Sequence, residues 1–232
     1  GDFQVTSTKG YFLLENLENS LKDYEWSPVM QVEAFAVANE VNKGVLVKGV
    51  EPSSFNKVTG LDLDLNKGIA IGHVLAEELN LNIGDSIRLT FASDKMRDQA
   101  GAILKNYAVD SIVTHGIYEK DLRFVYISRN ELLETFKYKQ GAVNKLLVAG
   151  NDGENFETSL SRLEQTLTTP YKVEPYWAEY KTLLKAVEVE KTSISLILQI
   201  IVVVAIFNVV AFIIYIMEKK SQEFFLLRAF GA

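Results

Sequence analysis

Residues 195–217 read SLILQIIVVVAIFNVVAFIIYIM, and this uncharged run decides the class of the protein. At about 1.5 Å of rise per residue, a helix of this length reaches roughly 35 Å, enough to cross a hydrocarbon core with some tilt. A surface helix of a soluble protein has a polar face, whereas only Gln199, Asn208 and scattered Ser and Tyr side chains interrupt this run. It is also far from the position of a secretory signal peptide. We predict a transmembrane helix over residues 195–217.

A strip of small and polar residues follows one face of the predicted span. Ala205, Asn208 and Ala211 are spaced at three-residue steps. Small residues let two helices approach closely in a membrane, and an Asn in a span gains from a hydrogen-bond partner. We predict a helix–helix contact in the membrane at these residues; a chance spacing of small residues is the alternative.

The segment after the span is amphipathic. Glu218–Arg228 reads EKKSQEFFLLR, with apolar Phe and Leu residues among the charged ones. Such a segment either lies on the bilayer surface or docks into a groove of a cytosolic partner, and composition leaves both open. Three basic residues follow the span and three lysines precede it closely, so the charge distribution favours neither orientation.

The region before the span is acidic and contains no cysteine. The chain has 24 Lys and Arg against 30 Asp and Glu, and leaving out those after the span gives 21 against 28. This acidic balance argues against nucleic acid or an anionic lipid surface as the main partner. Without cysteine, neither disulfides nor thiol chemistry contribute.

Two β-α-β patterns lie on either side of a long central segment. Strands are predicted at residues 2–8, 29–38, 144–149 and 171–173, with helices at 10–24 and 154–167. Two such units far apart in the chain predict an α+β fold, a split sandwich with a β-rich insertion at residues 62–141 and a long transmembrane helix after it.

The predicted insertion has a pattern of its own. Ile87, Leu89 and Phe91 alternate with polar residues, as on a half-buried strand. The other predicted elements are a strand-to-helix passage at 69–79, a tight turn at 83–86, strands at 107–114 and 124–128, and a helix at 130–137.

The connection to the span contains no helix breaker. Neither Gly nor Pro lies between Trp177 and residue 217. We predict one unbroken helix that leaves the soluble region and enters the membrane. Such a stiff connection would transmit movement that a flexible linker would absorb.

The segment at residues 92–106, ASDKMRDQAGAILKN, is long for the loop of a hairpin. Long loops in compact domains tend to be functional or disordered. We take Met96, Arg97, Ile103 and Leu104 as candidate contact residues, with a mobile solvated loop as the alternative.

The sequence offers no catalytic or metal site. His73 and His115 have no further ligands at metal-binding spacing, so we expect both to be surface residues without a role in metal binding or catalysis. A calcium-loop start at Asp62 fails, because Lys67 and His73 occupy the glycine and glutamate positions. Neither a nucleophile elbow nor a phosphate-binding loop occurs. We predict a chain that is not an enzyme and holds no cofactor, so that any ATP-driven process would use a nucleotide site on another chain.

Five features in chain order resemble the FtsX/MacB/LolC superfamily of ABC permeases. Residues 207–232, FNVVAFIIYIMEKKSQEFFLLRAFGA, are similar to its second transmembrane helix and the coupling helix that follows. Trp177 and the Glu190-Lys191 pair match residues that precede this span. Three stretches resemble its LolC/LolE branch: VLVKGVEP at 45–52, IGHVLAEELNLNIGD at 71–85 and THGIYEKD at 114–121. Each feature is weak alone, but the five in register cover nearly the whole chain.

The resemblance implies a periplasmic domain of two parts in a cell inner-membrane protein. A porter-like subdomain would comprise residues 1–61 and 142–194, and an inserted β-rich subdomain residues 62–141. The transmembrane helix at 195–217 and a cytoplasmic coupling helix at 218–232 would follow, with residues 1–194 in the periplasm.

The resemblance also implies a permease subunit that extracts lipoproteins from the inner membrane, coupled to ATP hydrolysis on a separate subunit. Its partners would be a cytosolic ABC ATPase, a second permease subunit (identical or distinct), lipoprotein cargo, a periplasmic carrier and membrane lipid. A hook loop that passes cargo to the carrier corresponds to residues 92–106. The residues implied to contact the ATPase are Lys219, Lys220, Glu223, Phe224, Leu227 and Arg228.

Two other functions stay open for the same architecture. An FtsX-like regulator would transmit movement to a periplasmic cell-wall hydrolase and transport nothing, and a MacB-like exporter would move drugs or toxins. The GIYEKD and VKGVEP motifs favour the lipoprotein-releasing branch over both.

Overall fold

The computed structural model describes residues 2–65, 68–92, 102–150, 155–229 and 231. The chain divides into two units, Gly1–Tyr176 and Trp177–Ala232. The first combines strands with short helices, and the second consists mainly of one long helix. The protein is therefore a mixed α/β chain with an apolar helix at its C-terminal end.

The first unit alternates strands and short helices along the chain. Its strands are β1 (Phe3–Ser7), β2 (Phe12–Leu13), β3 (Trp26–Ala38), β4 (Val41–Val50), β5 (Ile69–Gly72), β6 (Ser86–Ala92), β7 (Ala102–Val113), β8 (Phe124–Ser128), β9 (Ala142–Val143), β10 (Lys145–Val148) and β11 (Tyr171–Pro175). Its helices are α1 (Pro52–Thr59), α2 (His73–Leu79), α3 (Tyr118–Arg123), α4 (Arg129–Phe136) and α5 (Phe156–Thr166).

Strands from both ends of the first unit interleave in one part of a nine-stranded sheet. The order is β11-β1-β10-β3, and every neighbouring pair is antiparallel. Leu163 of α5 packs in one core cluster with Phe3 and Val5 of β1. Both predicted β-α-β segments therefore contribute strands to the same sheet.

The remaining part of the sheet closes on itself. Its order is β3-β4-β8-β5-β7-β6, and β6 pairs back with β3 from Ala34↔Phe91 to Val37↔Arg88. Because β3 is long, its first residues pair with β10 and its last ones with β6. We call this closed part the barrel.

The barrel joins strands that the sequence patterns assigned to different segments. β3 and β4 precede the predicted insertion at residues 62–141, yet they pair with β6 and β8 of that insertion. The sheet is thus continuous across residue 61, and the insertion completes the barrel together with the two preceding strands.

Alternating apolar residues fill the core of the barrel. Ile87, Leu89 and Phe91 are fully buried, while Arg88 between them is exposed, which confirms the alternation predicted for β6. Full burial of such a side chain contributes about 1.5–3 kcal/mol. The passage at 69–79 and the helices near 130–137 and 154–167 are likewise confirmed by β5, α2, α4 and α5.

The helix predicted at residues 10–24 is wrong. Phe12 and Leu13 form β2, which pairs with β9, and 3₁₀ turns follow at Leu14–Asn16 and Glu18–Leu21. The pairing with β9 takes backbone groups that the first turns of an α-helix would need. Leu14 and Leu17 are buried nonetheless, because apolar residues spaced three or four apart suit 3₁₀ turns as well.

The second unit is built around helix α6 (Lys181–Ala229). At about 1.5 Å per residue, this helix reaches roughly 74 Å. A 3₁₀ turn at Tyr176–Tyr180 precedes it, so the continuous α-helix begins a few residues after Trp177. From Lys181 onward the predicted absence of a break is confirmed.

Candidate functional site

Among the described residues, one stretch of helix, Val189–Ser221, is long and apolar enough to cross a membrane. None of its most apolar window is buried within the protein, and Phe207 is 70 % exposed. Apolar surface of this extent is normally covered by lipid or by partner helices. The stretch contains the predicted span at 195–217 and extends beyond both of its ends.

The predicted membrane contact residues lie on this stretch. Ala205, Asn208 and Ala211 are all exposed. Their spacing on a continuous helix places them along one side of it, as expected for a strip. A helix–helix contact there stays a prediction.

The amphipathic segment continues α6 without a break as far as Ala229. Lys219, Lys220, Phe224 and Arg228 are exposed, Phe224 by 67 %. Glu223 and Leu227 lie in the same helical segment. The proposed contact with an ATPase stays a prediction for all six residues.

The predicted contact loop at residues 92–106 is partly strand. Ile103 and Leu104 belong to β7, where they pair with Phe91 and Thr90 of β6. Ile103 packs against the barrel core, and Leu104 is 60 % exposed. The loop assignment was wrong for both, because their cross-strand partners extend the hairpin further than local composition indicates. Met96 and Arg97 lie outside the described residues.

Two of the stretches that carry the family resemblance, those of Gly72 and Asp121, meet at one end of the barrel, whereas Gly49 of the third packs against α4. Gly49 is in β4, Gly72 ends β5, and Asp121 is in α3. A Cβ atom on Gly72 would lie under 3.0 Å from backbone atoms of Asp121, and one on Gly49 would lie 3.2 Å from Arg129 Cα. Only residues without a side chain allow the backbones to approach this closely.

Asp121 is the centre of a buried polar cluster. Its side chain is 1 % exposed. One carboxylate oxygen, Oδ1, accepts hydrogen bonds from the backbone N–H of His115 at 2.8 Å and from its Nδ1 at 2.6 Å. The other, Oδ2, faces Nδ1 of His73 at 3.3 Å. On the far side of the His115 ring, Nε2 lies 2.7 Å from the hydroxyl of Tyr126.

The chemistry of the groups fixes the direction of these hydrogen bonds. An ionised carboxylate only accepts, so Nδ1 of His115 carries the proton that it donates to Asp121. In a neutral imidazole the second nitrogen is then an acceptor, and the Tyr126 hydroxyl donates to Nε2. The cluster is therefore a directed chain from Tyr126 through His115 to Asp121.

Burial and hydrogen bonding set the protonation states in the cluster. Burial lowers the pKa of the His115 imidazole below its ordinary value, although Asp121 opposes this effect. Burial alone would raise the pKa of Asp121, but the hydrogen bonds that it accepts from His115 outweigh this effect and lower that pKa. At neutral pH the cluster thus holds a neutral imidazole and an ionised carboxylate.

Two lysines lie close to the cluster. Lys48 of β4 places its Nζ 3.5 Å from the centre of the Phe124 ring, which in turn packs edge-on to His115 at 5.7 Å. Lys120, next to Asp121, places its Nζ 5.1 Å from the ring centre of Tyr176. A cation over an aromatic face is attracted by the ring quadrupole.

The surface role expected for His115 is wrong, since its side chain is only 7 % exposed. The turn beside Gly116 suggested exposure, but α3 folds back and brings Asp121 against the ring. The carboxylate within the same THGIYEKD stretch was the available signal. His73 begins α2 and is 38 % exposed. Among the described residues, no group of three or more His, Cys, Asp or Glu is placed to hold a metal.

A cleft of about 690 Å³ lies beside β3. The side chain of Asn144 replaces a strand partner there: its Oδ1 accepts from the Gln31 N–H at 2.8 Å, and its Nδ2 donates to the Gln31 carbonyl at 2.6 Å. Tyr11 and Tyr138 line the cleft with ring centres 5.2 Å apart. The cleft thus opens where β3 leaves β10 and has not yet met β6.

Comparison with curated proteins finds relatives that share the name LolC. The chain is 28 % identical over 252 residues to the lipoprotein-releasing system transmembrane protein LolC of Neisseria meningitidis serogroup B, covering all of this chain and 59 % of that protein. It is 22 % identical over 218 residues to LolC of Xylella fastidiosa strain Temecula1, covering 88 % of this chain and 52 % of that protein. The chain therefore spans about half the length of the curated relatives it matches. No protein-family model matches it.

A solved structure shares the fold. The periplasmic region of MacB from Actinobacillus actinomycetemcomitans matches with a TM-score of 0.50 at 11 % identity, covering 80 % of this chain and 92 % of that one. The resemblance predicted from the motifs is thereby confirmed: the chain is similar to LolC proteins in sequence and to a MacB periplasmic region in fold, consistent with the LolC/MacB superfamily.

Proposed function

We propose that this chain is part of an ABC transporter permease that releases lipoproteins from the inner membrane. The observation that carries the proposal is the close packing of the Gly72 and Asp121 stretches at one end of the barrel. These stretches are distant in sequence, and each resembles the LolC/LolE branch. Because they pack together, they are better explained as one shared structural feature than as separate chance matches. The names of the curated relatives support the same assignment.

The proposed architecture follows the resemblance. β11-β1-β10-β3 with α5 belong to a porter-like subdomain from residues 1–61 and 142–194, and residues 62–141 are an inserted β-rich subdomain that completes the barrel together with β3 and β4. Residues 1–194 are periplasmic, the span at 195–217 crosses the inner membrane, and residues 218–232 are cytoplasmic. The exposed apolar stretch of α6 supports the membrane assignment.

In the proposed mechanism this chain transmits force and catalyses nothing. ATP closes a cytosolic ATPase on separate subunits, which presses on the segment of Lys219, Lys220, Glu223, Phe224, Leu227 and Arg228. Helix α6 has no Gly or Pro at which it would bend, so the movement passes along it toward the periplasmic residues. The continuity of α6 supports this role.

The remaining partners are assigned to separate surfaces. A second permease subunit packs on Ala205, Asn208 and Ala211 in the membrane, where Asn208 finds a hydrogen-bond partner. A periplasmic carrier or the lipoprotein cargo contacts Met96 and Arg97 and, in β7 of the β6–β7 hairpin, Ile103 and Leu104. The exposure of Leu104 supports a contact at this hairpin.

Depletion of the full-length protein in its host, followed by separation of inner and outer membranes, tests the proposal. We expect outer-membrane lipoproteins to accumulate in the inner membrane. Normal lipoprotein sorting with failed cell separation would identify an FtsX-like regulator instead. Normal sorting with lost drug or toxin tolerance would identify a MacB-like exporter.

A further inference from the structure

Helix α3 is attached to the barrel in an unusual way. Asp121 is the one buried residue that its six residues contribute. A short helix normally docks through apolar side chains, whereas this one docks through a carboxylate that is 1 % exposed. The contact is therefore sensitive to the charge of whatever faces that carboxylate.

The facing groups come from four elements. Asp121 and Lys120 belong to α3, Tyr126 to β8, Lys48 to β4 and His73 to α2. His115 lies among them in the connection between β7 and α3. Its ring is hydrogen-bonded to Asp121 through one nitrogen and to Tyr126 through the other.

We propose that the His73–Asp121–His115–Tyr126 cluster is a proton-binding site, and that proton uptake by His115 favours an open form in which α3 leaves the barrel. This proposal does not rest on the transport function. Its ligand is a proton taken from the solvent.

The closed arrangement resists protonation of His115. A proton on Nε2 would remove the acceptor for the Tyr126 hydroxyl and place a cation in a buried site. Lys48 and Lys120 add unfavourable positive charge, while Asp121 compensates only in part. When α3 opens, water reaches the ring and the ordinary proton affinity of imidazole returns.

The difference in proton affinity makes the equilibrium depend on pH. Protons bind the open form more tightly than the closed one, so acid shifts the population toward the open form. The shift begins as pH falls below the ordinary imidazole value of about 6.5 and continues to the lower value of the closed form. Oδ2 of Asp121 and Nδ1 of His73 face each other at 3.3 Å without a hydrogen bond in the closed form.

Opening of α3 would also affect the last residues of the first unit. Lys120 packs over the ring of Tyr176, whose N–H donates to the Asp2 carbonyl at 2.9 Å. Tyr176 is the last residue of that unit. Loss of the Lys120 contact would therefore loosen the end of β11 that precedes α6.

Hydrogen–deuterium exchange on the full-length protein in lipid nanodiscs tests the proposal. After correction for the intrinsic effect of pH, the amides of residues 118–123 should exchange severalfold faster at pH 5.5 than at pH 7.5. The amides of α4 serve as an internal reference and should change little. His115→Gln, which keeps a donor and an acceptor but cannot be charged, should abolish the pH effect in α3.

A second measurement needs no variant. Carbon-13 NMR of labelled histidine follows His115 directly in the unaltered protein, where we expect titration below the ordinary value. An unchanged α3 response in His115→Gln, or titration of His115 at or above the ordinary value, would overturn the proposal.

Discussion

Gly72 and Asp121 approach so closely that no side chain fits between them: a Cβ atom on Gly72 would lie under 3.0 Å from the carbonyl oxygen of Asp121. Gly72 is the N-cap residue of α2, and Asp121 is the buried residue of α3. The contact joins two helices whose sequences both resemble the LolC/LolE branch. The geometry at this point therefore decides whether α3 and its polar cluster reach the barrel.

Substitution Gly72→Ala should destabilise the protein. Gly72 has a φ of −67°, which alanine adopts without strain, so the cost comes from the steric clash with Asp121 alone. Overpacking of this kind costs about 1–3 kcal/mol. The measurement is the midpoint of thermal unfolding of the full chain in detergent.

Gly44→Ala is the matched control for this change. Gly44 lies in β4 of the same barrel, and a Cβ there meets no atom within 4 Å. We expect it to leave the unfolding midpoint unchanged or slightly raised. Equal effects of the two substitutions would contradict the close approach at Gly72.

Asp121→Asn should destabilise the protein in a pH-dependent way. Because the pKa of Asp121 is lowered in the folded state, its stabilising contribution is present above the unfolded value of about 3.8 and is lost as pH falls through the folded value. Loss of a buried charged acceptor lowers the free energy of unfolding by about 1.5–3 kcal/mol at neutral pH. The measurement is the free energy of unfolding in urea. At pH 7 it should be much lower for the variant than for the unaltered protein, and at pH 3 the difference should be smaller.

The exposed Asp62 provides the comparison for Asp121. Asp62→Asn removes the same charge from a surface site and should change stability little at either pH. If Asp121→Asn behaved like Asp62→Asn, the carboxylate would not be holding α3.

Asn144→Ala should loosen β3 beside the cleft. Its side chain makes two hydrogen bonds to the backbone of Gln31, at 2.8 and 2.6 Å. Their loss leaves two backbone groups without a protein partner and costs about 1–3 kcal/mol. Hydrogen exchange should be faster at residues 30–33, whereas Asn42→Ala at an exposed position of β4 should leave them unchanged. Protection that survived in Asn144→Ala would show that the side chain does not replace a strand partner.

Phe224→Asp should uncouple ATP hydrolysis from transport if the segment at 218–228 docks into an ATPase groove. A carboxylate placed in an apolar contact pays a large desolvation penalty. We expect the variant to lose most complementation of a depleted host while its level in the membrane is unchanged. Phe225→Asp puts the same charge about 100° further around the helix and should complement better. Full complementation by Phe224→Asp would rule out the coupling role.

Local patterns were sufficient for several elements. The uncharged run at 195–217 lies within the exposed apolar stretch of α6, and the alternation of Ile87, Leu89 and Phe91 matches their burial in β6. Both signals depend only on residues next to one another in the chain, so periodicity detects them.

Contacts between distant residues could not be predicted in the same way. The closure of the barrel depends on pairing of Ala34 with Phe91, and the burial of His115 depends on α3 folding back onto β8. Strand order and the solvent exposure of a turn histidine are set by tertiary packing, which a local pattern does not contain. The helix predicted at 10–24 failed for this reason, since a distant strand pairs with Phe12.

ATP-dependent release of a lipoprotein from reconstituted membranes tests the central claim most directly. The full-length protein, its second permease subunit and the ATPase would be placed in proteoliposomes loaded with a labelled outer-membrane lipoprotein. The proposed function predicts that lipoprotein leaves the membrane only when ATP, the ATPase and this chain are all present, and that Phe224→Asp stops release while ATP hydrolysis continues. Hydrolysis without any release of lipoprotein by the unaltered complex would contradict the claim.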